Sequence, residues 1–155
     1  MRGSVFAGWL GACAGRGVCA PTMNDATAVS ATFAPSTAAP LRIDADGNTS
    51  YDALTDGVVI IRYLFGLTGT SLTAGALGGG ATLTDPALLV NHLNDIRPIF
   101  DVDGNGQVDA YTDGLMLIRY LFGLRGPSLI AGAVAIGATR TTAQDIETYI
   151  QSIMP

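Results

Sequence analysis

Side-chain oxygens recur at alternate positions in the run D-V-D-G-N-G-Q-V-D-A-Y-T-D-G, from Asp101 to Gly114. Asp101, Asp103, Asn105, Asp109 and Asp113 carry carboxylate or amide oxygens, and Gln107, the seventh residue, would offer its backbone carbonyl. Along a tight loop such residues aim at one centre, which is how a chain gathers the roughly six to eight oxygens that calcium takes. Gly106, the sixth residue, permits the sharp turn that brings the later ligands back onto the ion. The donors are all oxygen, with no imidazole or thiolate nearby, which favours calcium over zinc or copper. Without an ion the loop repels itself: two carboxylates about 5 Å apart cost roughly 3 kcal/mol at an effective dielectric near 20. A divalent cation is expected to set a loop that is loose without it.

The same pattern stands 57 residues earlier as D-A-D-G-N-T-S-Y-D-A-L-T-D-G, from Asp44 to Gly57. Asp44, Asp46, Asn48, Asp52 and Asp56 repeat the oxygens, and Ser50 takes the place of Gln107. The register then holds without a gap. I-R-Y-L-F-G-L at 61–67 returns at 118–124, and A-G-A at 74–76 returns at 131–133. Even Ile96 and Pro98 have counterparts in Ile153 and Pro155. A tandem duplicate that keeps every oxygen position argues for two calcium sites rather than two solvated acidic turns.

An acidic loop leading directly into a helix that ends R-Y-L-F-G resembles the duplicated loop–helix unit of dockerin-type modules, relatives of the EF-hand. It is more similar still to a repeat near the C-termini of secreted bacterial proteins, D-x-D-G-N-G-x-x-D-A-x-T-D-G followed by R-Y-L-F-G-L. The resemblance spans residues 41–155. It implies a mainly α fold of tandem EF-hand-like loop–helix repeats, two Ca2+ sites and attachment to a protein partner. Two departures stand out. The last acid is at loop position thirteen (Asp56, Asp113), where the common loop closes at twelve, here Thr55 and Thr112. Either the loop is one residue longer, or Asp52 and Asp109 coordinate directly and the last Asp reaches in from the helix start. Thr49 also stands where the second loop has Gly106. A β-branched residue at positive φ is strained, so the first site is expected to be the weaker.

The elements around the loops follow from pattern. Gly57–Leu67 reads as the exiting helix, capped by Thr55 or Asp56 and stopped by Gly66, with Gly123 stopping its counterpart. Val58, Val59, Ile60, Ile61, Tyr63, Leu64 and Phe65 leave this helix almost no polar face, so it either packs against its duplicate or docks to a partner. Residues 68–82 and 125–139 are Gly/Ala-rich connectors with a short turn near 71–76. Second helices follow, one from the start signal Thr84-Asp85-Pro86 and one from Thr142. His92, the only histidine, lies near the apolar side of its helix and reads as a packed residue.

Residues 1–35 are different in kind. Val5–Trp9 and Thr27–Phe33 read as short strands, giving a small β segment before the helices. This segment is similar to the closing strands of a β-rich repeat of bacterial surface proteins, in which paired cysteines sit in the same loop. Cys13 and Cys19 form a small disulfide loop if the chain is secreted, or two free thiols in a cytosolic setting. Met1-Arg2 and the run ending at Cys13 loosely suggest a lipoprotein signal, but Gly3, Gly8 and Trp9 suit one poorly. The expected organisation is a β segment at 1–35, a Pro-bearing linker at 36–41, repeat one at 42–98 and repeat two at 99–155.

Composition narrows the function. A net charge of −5 argues against nucleic acid, and no apolar run reaches the length of a membrane helix. No nucleophile–base pair, phosphate loop or dinucleotide fingerprint accompanies His92, so a non-enzymatic chain is expected. At a dissociation constant of about 10 μM and roughly 2 mM free calcium, each site would stabilise the fold by about 3 kcal/mol. Two such sites compare with the roughly 5–15 kcal/mol of a typical domain. The expected function is a secreted or cell-surface calcium module that attaches to a receptor or scaffold protein. The alternative is a self-assembling subunit of an extracellular filament or surface layer, with the N-terminal strands pairing with a neighbouring copy.

Overall fold

A computed structural model of the chain describes residues 4–14, 18–22, 26, 28–35 and 42–154. It divides into two units, Met1–Ala39 and Pro40–Pro155. The expected linker at 36–41, Thr27 of the second expected strand and the Met1-Arg2 start of the signal-like run lie outside the described residues.

The small unit is an antiparallel pair, β1 (Ser4–Gly11) and β2 (Val29–Pro35). Phe6 pairs with Phe33 and Trp9 with Ala31, and the register slips between Phe6 and Gly8, where β1 carries a bulge. The Phe6 ring meets Trp9 at 5.1 Å and Phe33 at 5.9 Å, both edge to face. At Gly11, φ is +94° and a Cβ would lie 2.3 Å from the Ala28 carbonyl oxygen, so only glycine fits where the strand leaves the ladder. Cys13 and Cys19 are joined by a disulfide, which suits an oxidising environment.

The large unit is helical, and its elements recur at the spacing of the sequence repeat. Each copy opens with an acidic loop and a single π-turn, Ala53–Gly57 or Ala110–Gly114. This runs into α1 (Val58–Leu64) or α4 (Leu115–Leu121). A short helix follows, α2 (Thr70–Thr73) or α5 (Pro127–Ile130), and then a longer one, α3 (Pro86–Ile96) or α6 (Ala143–Ser152). Asp85 caps α3 through the amides of Ala87 and Leu88, with Pro86 in the first turn, and Thr142 caps α6 through the Asp145 amide.

The exiting helix differs from its expected form at its start. The helical path begins at Ala53 and Ala110, five residues ahead of α1 and α4, with Gly57 N–H reaching the Asp52 carbonyl at 3.1 Å and Gly114 N–H the Asp109 carbonyl at 3.0 Å. Neither Thr55 nor Asp56 is the cap, because the wide turn rotates Asp56 inward. At the other end the glycine stops stand. Gly66 (φ +79°) donates to the Tyr63 carbonyl and Leu67 to Arg62, and Gly123 and Leu124 repeat both bonds, a Schellman closure in each copy.

The two copies share one core. Ile43, Val59, Ile60, Leu72, Leu89 and Leu93 of the first pack in the same buried cluster as Phe100, Val102, Leu117, Leu129, Ile146 and Ile150 of the second. Helices α1 and α4 approach closely at glycine: a Cβ on Gly57 would meet Ile118 at 3.1 Å, and one on Gly114 would meet Leu64 at 3.0 Å. Arg62 ties α1 to α2 by donating to the Leu72 and Ala74 carbonyls, and Arg119 does the same for Leu129 and Ala131. The Ile43 N–H bonds to the Ile153 carbonyl at 3.1 Å, joining the start of copy one to the end of copy two. The nearly apolar helices α1 and α4 are thus largely consumed by this core, although Leu54, Phe65, Tyr111 and Phe122 remain exposed.

A shared core has a measurable consequence. Phe100 is fully buried at the junction of the copies, with its ring 6.4 Å from that of Tyr63. Phe100→Ala is expected to lower stability by about 3–5 kcal/mol. Circular dichroism and tyrosine fluorescence should then follow a single unfolding transition, whereas separate melting of the two copies would mean two independent cores.

Candidate metal centre

At the head of each loop, buried core residues alternate with the aspartates. Ile43 and Ala45 point into the core, while Asp44 and Asp46 point to the other side. In the second copy Phe100 and Val102 face the core, and Asp101 and Asp103 face away from it. The π-turn supplies the third carboxylate. Ligand atoms of Asp44, Asp46 and Asp56 all lie within 4.8 Å of one another, and so do those of Asp101, Asp103 and Asp113. Oxygens at such separations can all touch one ion at oxygen distances of about 2.3–2.6 Å. Each trio can therefore hold a metal ion.

The geometry places the two acids near the helix start differently. The thirteenth-position aspartates Asp56 and Asp113 join the first and third residues; the ninth-position Asp52 and Asp109 belong to neither trio. Asp109 serves as a cap, its carboxylate accepting from the amides of Tyr111 (2.9 Å) and Thr112 (3.0 Å) and from the Thr112 hydroxyl (2.8 Å). Asp52 occupies the same place but makes no side-chain cap bond. Asn48 and Asn105 turn their amide oxygens onto the backbone N–H two residues on, at Ser50 and Gln107, both at 2.7 Å. Ser50 and Gln107 themselves have exposed side chains.

Asp46, Asp56, Asp103 and Asp113 are fully buried. Their hydrogen bonds come mainly from backbone amides. Asp56 Oδ1 accepts from Ala45 (2.6 Å) and Oδ2 from Asp52 (2.9 Å), so one side chain closes the loop onto itself. Asp113 does the same with Val102 (2.7 Å) and Asp109 (3.1 Å). Asp46 Oδ2 accepts from Gly78 at 2.6 Å and Asp103 Oδ2 from Ala135 at 2.8 Å, which draws the Gly/Ala-rich connector over each trio. Among the described residues, one buried side-chain polar atom has no hydrogen-bond partner: Asp101 Oδ1. A desolvated carboxylate oxygen facing two other carboxylates has the chemistry of a waiting cation ligand.

Burial pushes the Asp56 carboxyl up to about 6, opposed by the Asp52 and Ala45 amides and reinforced by the charges of Asp46 and Asp44. Asp113 is raised for the same leading reason. The sign follows from linkage. An acid held above its usual value near 3.8 contributes stability that is complete below that value and lost as pH rises through about 6. In the ion-free protein the ionised Asp56 thus opposes folding at neutral pH, and a cation would remove that opposition.

Further contacts, not legible in the motif, steady the loop backbones. His92 Nε2 lies 3.0 Å from the Asp44 carbonyl oxygen, so the packed histidine holds the loop from behind. In the second copy the equivalent residue, Tyr149, donates to the Ile99 carbonyl at 2.9 Å. Arg140 stacks on Tyr149, 4.0 Å from the ring centre, and donates to the carbonyls of Val102 and Asp101. The gapless repeat does signal a connector contact in both copies, since the Gly78 and Ala135 bonds span the same 32 residues. Which amide would reach the carboxylate depends on the fold.

Comparison with protein-family models, with curated proteins and with solved structures found no match to this chain.

The cap assignment can be separated from a ligand role. With stability measured in EDTA by urea denaturation, Asp109→Ala is expected to cost about 1 kcal/mol, the usual value of a lost N-cap. Asp52→Ala, which breaks no cap bond, should cost clearly less. Equal losses would remove the cap distinction between the loops.

Proposed function

We propose that the chain is a non-enzymatic, extracellular calcium-binding module, in which two Ca2+ ions order duplicated EF-hand-like loops for attachment to a protein partner. The observation that carries this reading is the pair of carboxylate trios, each with its ligand atoms within 4.8 Å of one another. All-oxygen donors favour a hard cation, and carboxylates at this density favour calcium over a neutral ligand. The resemblance to dockerin-type repeats points the same way. The Cys13–Cys19 disulfide supports an oxidising location, and no helix among the described residues is long and apolar enough to cross a membrane. Leu54, Phe65, Tyr111 and Phe122, exposed around the paired helices, supply apolar surface for a partner. The ring contact of Phe65 with Tyr111, at 5.3 Å, crosses from one copy to the other.

One observation favours the second reading, a self-assembling subunit of a filament or surface layer. The β1–β2 pair is a sheet of two strands with Phe33 exposed, and so small a ribbon is marginal without a further strand or a covering layer. A neighbouring copy could supply either.

Size-exclusion chromatography with light scattering, run in calcium and then in EDTA, tests both readings. A small particle that is compact in calcium and expands in EDTA is the expected result. Thermal unfolding should move upwards with calcium by several degrees, because about 3 kcal/mol per site is a large share of a small domain's stability. In Asp46→Ala/Asp103→Ala that shift is expected to vanish. Large calcium-dependent assemblies would favour the filament subunit, and indifference of size and melting to EDTA would remove the calcium reading.

A further inference from the structure

We propose that the two loops fill in order: the Asp101–Asp113 loop binds calcium first and more tightly, and the Asp44–Asp56 loop follows as the weaker, reversible site. This rests on the calcium reading above. The two loops are an internal control for one another, since they share a fold, a register and a trio of aspartates, and differ at few positions.

The first difference lies in the leading aspartate. Asp101 Oδ1 is buried and makes no hydrogen bond, while its Oδ2 accepts from Gly106 at 3.1 Å. Asp44 has both oxygens engaged, Oδ1 by the amides of Gly47 (2.8 Å) and Asn48 (3.1 Å) and Oδ2 by Thr49 (2.8 Å). An ion arriving at the second loop meets a buried oxygen that none of the loop's own amides occupies. At the first loop it competes with the loop's own amides for the same lone pairs.

The second difference lies in the turn. Thr49 sits at φ +67° and Gly106 at +83°. Glycine holds this conformation freely, whereas a β-branched residue resists it, so only the second loop is at ease in the closed form.

The third difference lies in what holds the loops. Arg140, stacked on Tyr149, bonds two carbonyls of the second loop, and Asp109 caps its π-turn. Leu83 stands in the place of Arg140 in the first copy, where His92 makes one such contact and Asp52 caps nothing. The Arg140 charge opposes a cation, but its donors keep the second loop in its closed shape, and a site that needs no ordering binds more tightly. Three differences favour the second loop and one charge opposes it. The balance favours loop two.

The test is a calcium chloride titration of the full chain, followed site by site in a ¹H–¹⁵N spectrum and by calorimetry. The amides of Gly104 and Gly106 are expected to finish shifting before those of Gly47 and Thr49. The two constants should differ by at least ~10-fold, equivalent to about 1.4 kcal/mol. Thr49→Gly, which relieves the turn without touching a carboxylate, should tighten the first site and narrow the gap. Simultaneous filling, the reverse order, or a gap that Thr49→Gly leaves unchanged would overturn the inference while leaving the calcium reading intact. No response in either loop would overturn both.

Discussion

Two demands placed on one short stretch of backbone set the terms for the large unit. Residues 43–46 and 100–103 must put apolar side chains into the core on one side and carboxylates into a small space on the other. Alternation of apolar and acidic residues meets both, but it places like charges close together in a desolvated setting. Asp46, Asp56, Asp103 and Asp113 have no contact with solvent. Backbone amides relieve part of that cost, and each one so used comes from the loop or the connector. The neighbourhood of each trio is therefore built from chain that the trio itself holds in place. A cation would satisfy at once the charge that the amides satisfy only in part.

The π-turn follows from the same demand. An ordinary helical start at Gly57 would leave Asp56 outside the helix as a cap. Beginning four residues earlier with a wider turn carries Asp56 round to the loop, where its two oxygens bond the amides of Ala45 and Asp52. Wide turns of this kind concentrate at functional sites, since a helix gives up a regular bond only where another interaction compensates. Here both copies do so at the same place.

Much of this was legible in the residues. The duplicate, its register, the glycine stops and the Asp85-Pro86 start all rest on local chemistry, and local chemistry is what sequence records. Thr49 belongs with them: alignment on Gly106 alone indicates a positive φ, and the backbone has it. The choice between Asp52 and Asp56 was not legible, because both are acids close to the helix start and the width of one turn decides which faces the trio. The backs of the loops were hidden for another reason. His92 reaches Asp44 across 48 residues and Arg140 reaches Asp101 across 39, and such contacts exist only after the helices have packed.

Packing also gives two loops far apart in sequence a physical connection. A 3-10 turn, Arg97–Phe100, joins the end of the first copy directly to the second loop. Just after α6 of the second copy, the Ile153 carbonyl accepts the amide of Ile43 at the head of the first loop. Each loop thus starts on the end of the other copy's long helix, one by covalent continuity and one by a hydrogen bond. Ile43 and Phe100, at those starts, are both fully buried in the shared cluster. Ordering one loop fixes a residue of the common core, and through that core it favours the packed position of the helix from which the other loop begins. A duplicated site on two separate cores would have no such route.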